Sequence, residues 1–198
     1  MKYLIGVDEA GRGPLAGPVA VGVVMAPRGF SIKKAFPGVA DSKVLSEKKR
    51  KEIYKLLQSA PPAGGRRSTH KKKLQYIVVF ASAATIDTIG ITKALQRCVY
   101  SGVRKLSPET KNVRVLLDGL LHAPPEYAQQ TIIRGDASEP IISLASVAAK
   151  VRRDALMRRL SKKYPQYGFE THKGYGTKKH YAAIRRRGPC AIHRRSFL

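Results

Sequence analysis

Four carboxylates stand out in a chain that has 38 Lys and Arg residues but only 13 Asp and Glu residues. Asp8 and Glu9 follow a short apolar run, Asp118 follows a second one, and Asp136 precedes a long apolar segment. Strand ends and helix starts are where α/β proteins commonly assemble their sites. Carboxylates held close together repel one another unless a cation lies between them. Because oxygen-only ligands suit a hard ion, the pattern predicts a site for Mg²⁺ or Mn²⁺.

Each of these acids also has a purely structural interpretation. Asp118 precedes Gly119 and is typical of a turn, while Asp136 and Glu139 have the spacing of a capping box at a helix start. The adjacent pair Asp8 and Glu9 is harder to explain as surface decoration.

A glycine-rich turn from Gly11 to Gly17 follows the first acidic pair. It lacks the Lys-Ser/Thr ending of a phosphate loop and the GxGxxG spacing of a dinucleotide site. Glycine instead allows close approach of the backbone to a ligand. Peptide groups both donate to and accept from a ribose 2′-hydroxyl, the group that distinguishes RNA from DNA.

Histidine and cysteine offer little competing chemistry. None of the five histidines has convincing metal-ligand spacing, and Cys190 with His193 forms at most half of a zinc site, without a second pair. No serine occupies a Gly-x-Ser-x-Gly elbow.

The elements that position these residues alternate between strands and helices. Strands are predicted at Tyr3 to Val7 and Val19 to Met25, joined by a turn at Gly11 to Pro18. A helix is predicted over residues 41–57, with Ser46 as its N-cap, an apolar face of Ile53, Leu56 and Leu57, and a stop at Pro61 and Pro62. Further strands are predicted at 74–84, 113–117 and 131–134, and further helices at 91–106, 140–163 and 178–187. This order predicts a mixed α/β sheet flanked by helices.

Composition indicates a nucleic-acid partner. The 198 residues are 43% hydrophobic, which predicts one domain over 1–198, and the formal charge of +25 is suited to a polyanion. A membrane surface is the weaker alternative because the basic residues are spread along the whole chain. Residues 66–73 form a basic loop that either strengthens duplex binding or is merely solvated. The N-terminal apolar run is too short for a signal peptide and the two cysteines lack disulfide spacing, so a cytoplasmic location is predicted.

The segment Asp-Glu-Ala-Gly-Arg-Gly-Pro-Leu-Ala-Gly-Pro at 8–18 resembles the signature of ribonuclease HII. Weaker similarities follow in the family's order and span nearly the whole chain: Asp-Ser-Lys at 41–43, Leu-Asp-Gly at 117–119, Gly-Asp at 135–136, Ala-Lys-Val-Arg-Arg-Asp at 149–154, Lys-Gly-Tyr at 173–175 and Gly-Pro-Cys-Ala-Ile-His-Arg-Arg-Ser-Phe at 188–197. The ending resembles the bacterial branch, without an appended partner-binding tail, so no obligate protein partner is expected.

The resemblance implies a ribonuclease H-like mixed sheet with a C-terminal helical extension, about 165–198, that contributes to substrate binding. It implies endonucleolytic cleavage of RNA in RNA–DNA hybrids and cleavage on the 5′ side of single ribonucleotides in duplex DNA. Asp8, Glu9, Asp118 and Asp136 would hold two metal ions, one activating water and one stabilising the leaving oxygen, to give 3′-hydroxyl and 5′-phosphate ends.

The resemblance also implies substrate contacts. Gly11, Arg12 and Gly13 would bind the 2′-hydroxyl and neighbouring phosphate through the main chain, and Tyr175 would pack on the adjacent sugar. Lys43 would contact phosphate. Lys150 and Arg153 are weaker candidates, since basic residues on a helix face are usually only solvated.

Two departures and two alternatives accompany this resemblance. Leu144 stands where the family more often has a small residue, and the basic loop at 66–73 is more charged than the family pattern. Charge alone is also compatible with a noncatalytic RNA-binding protein, although that function leaves the Asp8–Glu9 pair unexplained. The sister enzyme ribonuclease HIII typically has Glu at the fourth acidic position and an extra N-terminal domain, whereas this sequence has Asp136 and begins at its first strand.

Overall fold

The computed structural model describes residues 1–59, 74–107 and 109–198. Its strands are β1 (Tyr3–Ala10), β2 (Val19–Pro27), β3 (Gln75–Ala81), β4 (Val113–Asp118) and β5 (Ala128–Ile132). Its helices are α1 (Ile32–Ala35), α2 (Glu47–Gln58), α3 (Ala83–Ile89), α4 (Ile91–Leu106), α5 (Gly135–Ser138), α6 (Pro140–Lys163), α7 (Phe169–His172) and α8 (Lys178–Arg187).

The strands form one mixed sheet in the order β3-β2-β1-β4-β5. β1 and β3 run antiparallel to β2, while β1, β4 and β5 run parallel. Val7 at the sheet centre pairs with Val23 on β2 and with Leu117 on β4. The prediction of a mixed sheet flanked by helices is therefore confirmed.

Alternation along β1 assigns its side chains to two helical layers. Ile5 and Val7 pack into the core cluster that includes α4, while Leu4 packs into the cluster that includes α6. Because successive strand residues point to opposite faces, Asp8 is expected on the α6 face with Leu4, and Glu9 on the α4 face.

Two glycines let the backbone of α6 lie directly on the sheet. A Cβ on Gly6 would lie 2.5 Å from the Ile141 carbonyl, and one on Gly22 would lie 2.1 Å from the carbonyl oxygen of Ala145. Gly22 is the β2 partner of Asp8. The same close contact therefore fixes the distance between α6 and the first acidic residue.

We expect Gly22→Ala to lower the free energy of unfolding by about 3 kcal/mol, the upper end for overpacking, because the methyl group meets helix backbone. Gly13→Ala is the control for stability only, since a Cβ there meets no atom of the described residues within 4 Å. Equal denaturant midpoints for the two variants would contradict this account of the helix–sheet contact.

The helix boundaries confirm the sequence analysis in part. α4, α6 and α8 have the predicted bounds, and the Ser46 side chain accepts from the Lys49 N–H as an N-cap. The prediction of helix from residue 41 was wrong, because α2 begins only after that cap. The prediction that Leu56 lies on the apolar face was also wrong: it is 48% exposed, while Ile53 and Leu57 are buried.

The strand boundaries differ more from the sequence analysis. β1 continues through Ala10 because it pairs with β2 over its whole length. β3 ends at Ala81, where Ser82 caps an unpredicted helix, α3. β5 ends at Ile132, and Arg134 turns the chain with a left-handed backbone, φ 55°. Pro61, Pro62 and the basic loop 66–73 lie outside the described residues.

The C-terminal residues form the predicted helical extension. Turns of 3₁₀ helix at Pro165–Tyr167 and Arg195–Phe197 accompany α7 and α8. Phe169 and Tyr167 are buried against Met157 of α6 and Ala16 of the glycine-rich turn. No helix in the described residues is long and apolar enough to cross a membrane.

Candidate active site

Three of the four predicted carboxylates meet above the parallel strands. Asp8, Asp118 and Asp136 each offer an oxygen, and these oxygens lie within 4.8 Å of one another. Asp118 lies two residues beyond Leu116, which packs in the α6-side cluster, so it shares the face of Asp8. The Asp136 N–H donates to Asp118 Oδ1 at 3.3 Å, which brings α5 onto the end of β4.

The sequence offered a capping box at Asp136 and a turn at Asp118, and only the turn is present. The prediction of a capping box was wrong, because in the described residues the side chains of Asp136 and Glu139 make no capping hydrogen bond at α5 or α6. Asp118 does occupy a turn, where its carbonyl accepts from the Leu121 N–H at 3.2 Å. A turn and a ligand position are therefore compatible at this residue.

Glu9 lies outside this group of three oxygens. Its carboxylate instead lies 3.7 Å from Arg12 Nη1. Burial raises its pKa, although the Arg12 charge opposes the shift. Glu9 still lines the same cleft as Asp8 and Asp118.

Asp8 is the acid of the cluster whose ionised form is most destabilised by its surroundings. It is 2% exposed, and burial raises its pKa well above the ordinary range, with further increases from Glu9 and Asp118, whereas a hydrogen bond from Ser146 lowers it. Its buried Oδ2 has no hydrogen-bond partner among the described residues. A buried, unpartnered oxygen beside two further carboxylates fits a divalent cation.

Lys43 and two serines lie beside the cluster, in the segment before α2 and on α6. Lys43 Nζ lies 3.1 Å from Asp136 Oδ2 and is mostly exposed at its other side. The hydroxyl groups of Ser42 and Ser146 share a 2.7 Å hydrogen bond, and both residues are buried. Lys43 therefore contacts an acid of the cluster, with its exposed side available to a phosphate.

The carboxylates open into a cleft of about 560 Å³. Eight of the nine predicted site residues line it, and Asp136 joins it through Asp118 and Lys43. The lining residues are Asp8, Glu9, Ala10, Gly11, Arg12, Gly13, Ser42, Lys43, Arg50, Asp118, Lys150 and Tyr175.

Residues 11–18, here called the glycine loop, form one wall of the cleft. Gly11 has φ 88°, and a Cβ there would lie 1.8 Å from Nε of Arg153. This residue must therefore be glycine for both conformation and space. The loop is held from the C-terminal side, because the Gly174 carbonyl accepts from the N–H groups of Leu15 and Ala16.

Tyr175 directly follows that contact and is 42% exposed on the cleft wall. Its ring lies 5.8 Å from the Arg153 guanidinium carbon. Its carbonyl accepts from the ring N–H of His180 at 2.9 Å. A buried histidine therefore fixes the backbone of Tyr175, the one aromatic side chain that the described residues contribute to the cleft lining.

The neutral histidines form a directed hydrogen-bond chain. Cys190 N–H donates to His193 Nδ1, so His193 carries its proton on Nε2 and donates to His180 Nε2 at 3.0 Å. His180 then donates from Nδ1 to Tyr175. Cys190 Sγ also lies 3.1 Å from His193 Nδ1, but that nitrogen already accepts from the Cys190 N–H. Cys190 and His193 therefore do not form a metal site. In the described residues, the acidic cluster is the sole group of three metal-ligating side chains.

We expect protein stability to fall as pH decreases from about 6.5 toward 4. Burial lowers the pKa of His180 to about 4; the hydrogen bond to the Tyr175 carbonyl opposes this shift, and the nearby His172 and His193 add smaller decreases. The unfolded state therefore binds the proton first, and stability present above the unfolded pKa is lost on acidification, by about 3 kcal/mol from this residue. Denaturant titrations across pH should show a shallower dependence for His180→Gln; identical slopes would contradict the assignment.

α6 carries a polar stripe, of which only Lys150 was among the candidate substrate contacts predicted from the sequence. Ser143 donates to the Asp136 carbonyl at 2.7 Å, Ser146 contacts Asp8, and Lys150 lines the cleft. Their spacing of three and four residues places them on one helix face, a signal that the sequence did contain. Leu144 points instead into the apolar core and is fully buried, so this bulkier residue is accommodated away from the stripe.

Comparisons with known proteins match nearly the whole chain to one family. The family model for ribonuclease HII matches residues 5–198. A ribonuclease HII of Geobacillus sp. is 42% identical over 197 residues, 100% of this chain and 64% of that protein. One from Chlamydia caviae is 42% identical over 99% of this chain and 84% of its own length. This chain thus spans just under two thirds of the Geobacillus protein.

The fold has a solved counterpart. The structure of the PCNA:RNase HII complex from Archaeoglobus fulgidus aligns with a TM-score of 0.76 at 21% identity, covering 99% of this chain and 95% of that one. The fold, the family model and the full-length sequence identity agree, and the chain belongs to the ribonuclease HII family of metal-dependent endoribonucleases.

Proposed function

We propose that this protein hydrolyses the RNA strand of RNA–DNA hybrids and cuts on the 5′ side of single ribonucleotides embedded in duplex DNA. The observation that carries the proposal is the shared cleft: a buried carboxylate cluster opens beside a glycine loop whose backbone reaches the same space. Acids at a phosphate-binding surface repel their ligand unless a cation intervenes. A chain with a formal charge of +25 supports binding of the duplex itself.

The proposed metal ligands are Asp8, Asp118 and Asp136, with Glu9 at the border of the cluster. Their all-oxygen chemistry suits Mg²⁺ or Mn²⁺. Two bound ions would activate the attacking water and stabilise the leaving 3′ oxygen. The proposed products are a 3′-hydroxyl and a 5′-phosphate.

The remaining cleft residues bind and orient the nucleic acid. Lys43 and Lys150 are proposed to contact phosphates beside the scissile bond. The peptide groups of Gly11, Arg12 and Gly13 are proposed to contact the ribose 2′-hydroxyl, for which backbone donors and acceptors are suited. Tyr175 presents an aromatic face on which the neighbouring sugar packs.

We propose one catalytic domain for residues 1–198, in which about 165–198 contributes to substrate binding through Tyr175. Cys98 and Cys190 are both free thiols, which supports a reducing compartment such as the cytoplasm. No obligate protein partner is proposed.

The test is a product map on a duplex that carries one ribonucleotide and is labelled on the cleaved strand. We expect one cut on the 5′ side of the ribonucleotide, an end that a DNA polymerase extends and a 5′-phosphate that a ligase joins. Binding without cleavage by well-folded protein would instead support a noncatalytic RNA-binding protein. A 2′,3′-cyclic phosphate end would reject the proposed mechanism.

A further inference from the structure

A fully buried arginine holds the inner side of the glycine loop. Arg194 is 0% exposed, and its guanidinium donates to the carbonyls of Gly11 at 2.7 Å, Arg12 at 2.8 Å and Gly17 at 2.9 Å. These three bonds reach both ends of the loop from a single planar group. Lysine has no equivalent fork of donors.

The Arg194 guanidinium binds backbone carbonyls of the loop and not a carboxylate. No carboxylate forms an ion pair with Arg194 in the described residues. Burial lowers its pKa to about 10, and the charge of Arg153 contributes, so the group remains cationic at neutral pH. A buried cation without an acidic partner is costly, and the loop carbonyls are what offset that cost.

The segment that carries Arg194 is anchored on both sides. Its N–H donates to the Leu15 carbonyl at 2.8 Å. Asp87 of α3 accepts from the backbone N–H groups of Arg195 and Ser196 and from the Ser196 hydroxyl. The Phe197 ring lies 5.1 Å from the guanidinium carbon. The arginine therefore acts from a fixed position.

Inward carbonyls determine what the loop presents to the cleft. In a trans peptide the C=O of one residue and the N–H of the next point in opposite directions. Because the Gly11 and Arg12 carbonyls face Arg194, the N–H groups of Arg12 and Gly13 face away from it. Within the described part of the chain these two N–H groups make no hydrogen bond, and their residues line the cleft.

We propose that Arg194 is a positioning residue for ribonucleotide recognition, holding the Arg12 and Gly13 N–H groups toward the substrate. The inference rests on the proposed function and extends it from the cleft to the buried side of the loop. It assigns discrimination of ribose from deoxyribose in part to a residue that touches no substrate. The two buried cations, Arg153 and Arg194, also favour an anion on the outer side of the loop.

The test compares affinities for a duplex with one ribonucleotide and for its all-deoxy twin, with Ca²⁺ in place of Mg²⁺ so that cleavage does not interfere. We expect Arg194→Lys to reduce the ratio of the two affinities by about tenfold, the effect of losing one or two well-aligned hydrogen bonds. Affinity for the all-deoxy duplex is expected to stay unchanged. Arg185→Lys, an exposed change on α8, is the matched control and should keep the wild-type ratio.

A merely structural role would lower both affinities together and leave their ratio intact, and that result would overturn the assignment. Should Arg194→Lys fail to melt cooperatively, Asp87→Ala loosens the same segment from a half-buried position outside the glycine loop. This variant should reduce the ratio by about threefold, in proportion to weaker anchoring; an unchanged ratio would again overturn the assignment. Equal affinities of the wild-type protein for the ribonucleotide duplex and the all-deoxy duplex would reject the proposed function itself. If the variants keep the wild-type preference for the ribonucleotide duplex, the role of Arg194 is rejected and the proposed function is not.

Discussion

Replacing Asp118 with asparagine is expected to lower cleavage of a single-ribonucleotide duplex by at least about 10³-fold. A metal ion contributes several kcal/mol to the transition state, and each 1.4 kcal/mol is tenfold in rate. Asp118 belongs to the group of three oxygens within 4.8 Å, and its Oδ1 also accepts from the Asp136 N–H. Asparagine keeps that acceptor and the side-chain shape but removes the charge.

Single-turnover cleavage rates and duplex affinities measured on the same samples separate chemistry from binding. Affinity for the duplex should change by less than about threefold, because the substitution adds no positive charge. Glu126→Gln is the control, since this exposed acid pairs with Arg104 outside the cleft. Near-normal turnover by Asp118→Asn would show that the cluster is not the metal site.

Gly11→Ala is expected to reduce kcat/KM by about 10²-fold, the effect of displacing a substrate-positioning group by about 1 Å. A methyl group at this residue would lie 1.8 Å from Nε of Arg153, and that arginine is itself held by the carbonyls of Ala16 and Pro18. The loop must therefore move away from its present position. Steady-state kinetics with the single-ribonucleotide duplex provides the measurement.

Gly29→Ala separates backbone strain from this clash. Gly29 has φ 89°, nearly the same as Gly11, but within the described parts of the chain no atom lies within 4 Å of a Cβ built there. Both variants should lose some stability from the left-handed conformation, while Gly29→Ala keeps its activity. Equal activity in the two variants would mean that the position of the glycine loop does not limit catalysis.

The sequence predicted the acids of the site better than their arrangement. Asp8, Asp118 and Asp136 were recognised from their places at strand ends and before α6, and their oxygens do meet. Glu9 was grouped with them because it is adjacent to Asp8. Strand alternation, applied to β1, would have placed its side chain on the opposite face, beside Arg12.

The burial of the two arginines that support the site was not predicted from the sequence. Arg153 and Arg194 are basic residues in a chain that is rich in them, and nothing local distinguishes them from solvated ones. Their burial results from packing between α6, the glycine loop and the C-terminal segment, which are distant in sequence. Tertiary contacts likewise set the end of β1 and the exposure of Leu56, which periodicity alone did not predict.

The most direct test of the central claim measures cleavage of two duplexes that differ only by one 2′-hydroxyl, each with Mg²⁺ and with chelator. The carboxylate cluster and the glycine loop share one cleft, so metal and ribose are both expected to be required. We expect a single cut in the ribonucleotide duplex with Mg²⁺ and none in the other three reactions. Equal cleavage of the all-deoxy duplex, or cleavage of the ribonucleotide duplex in chelator, would contradict the account.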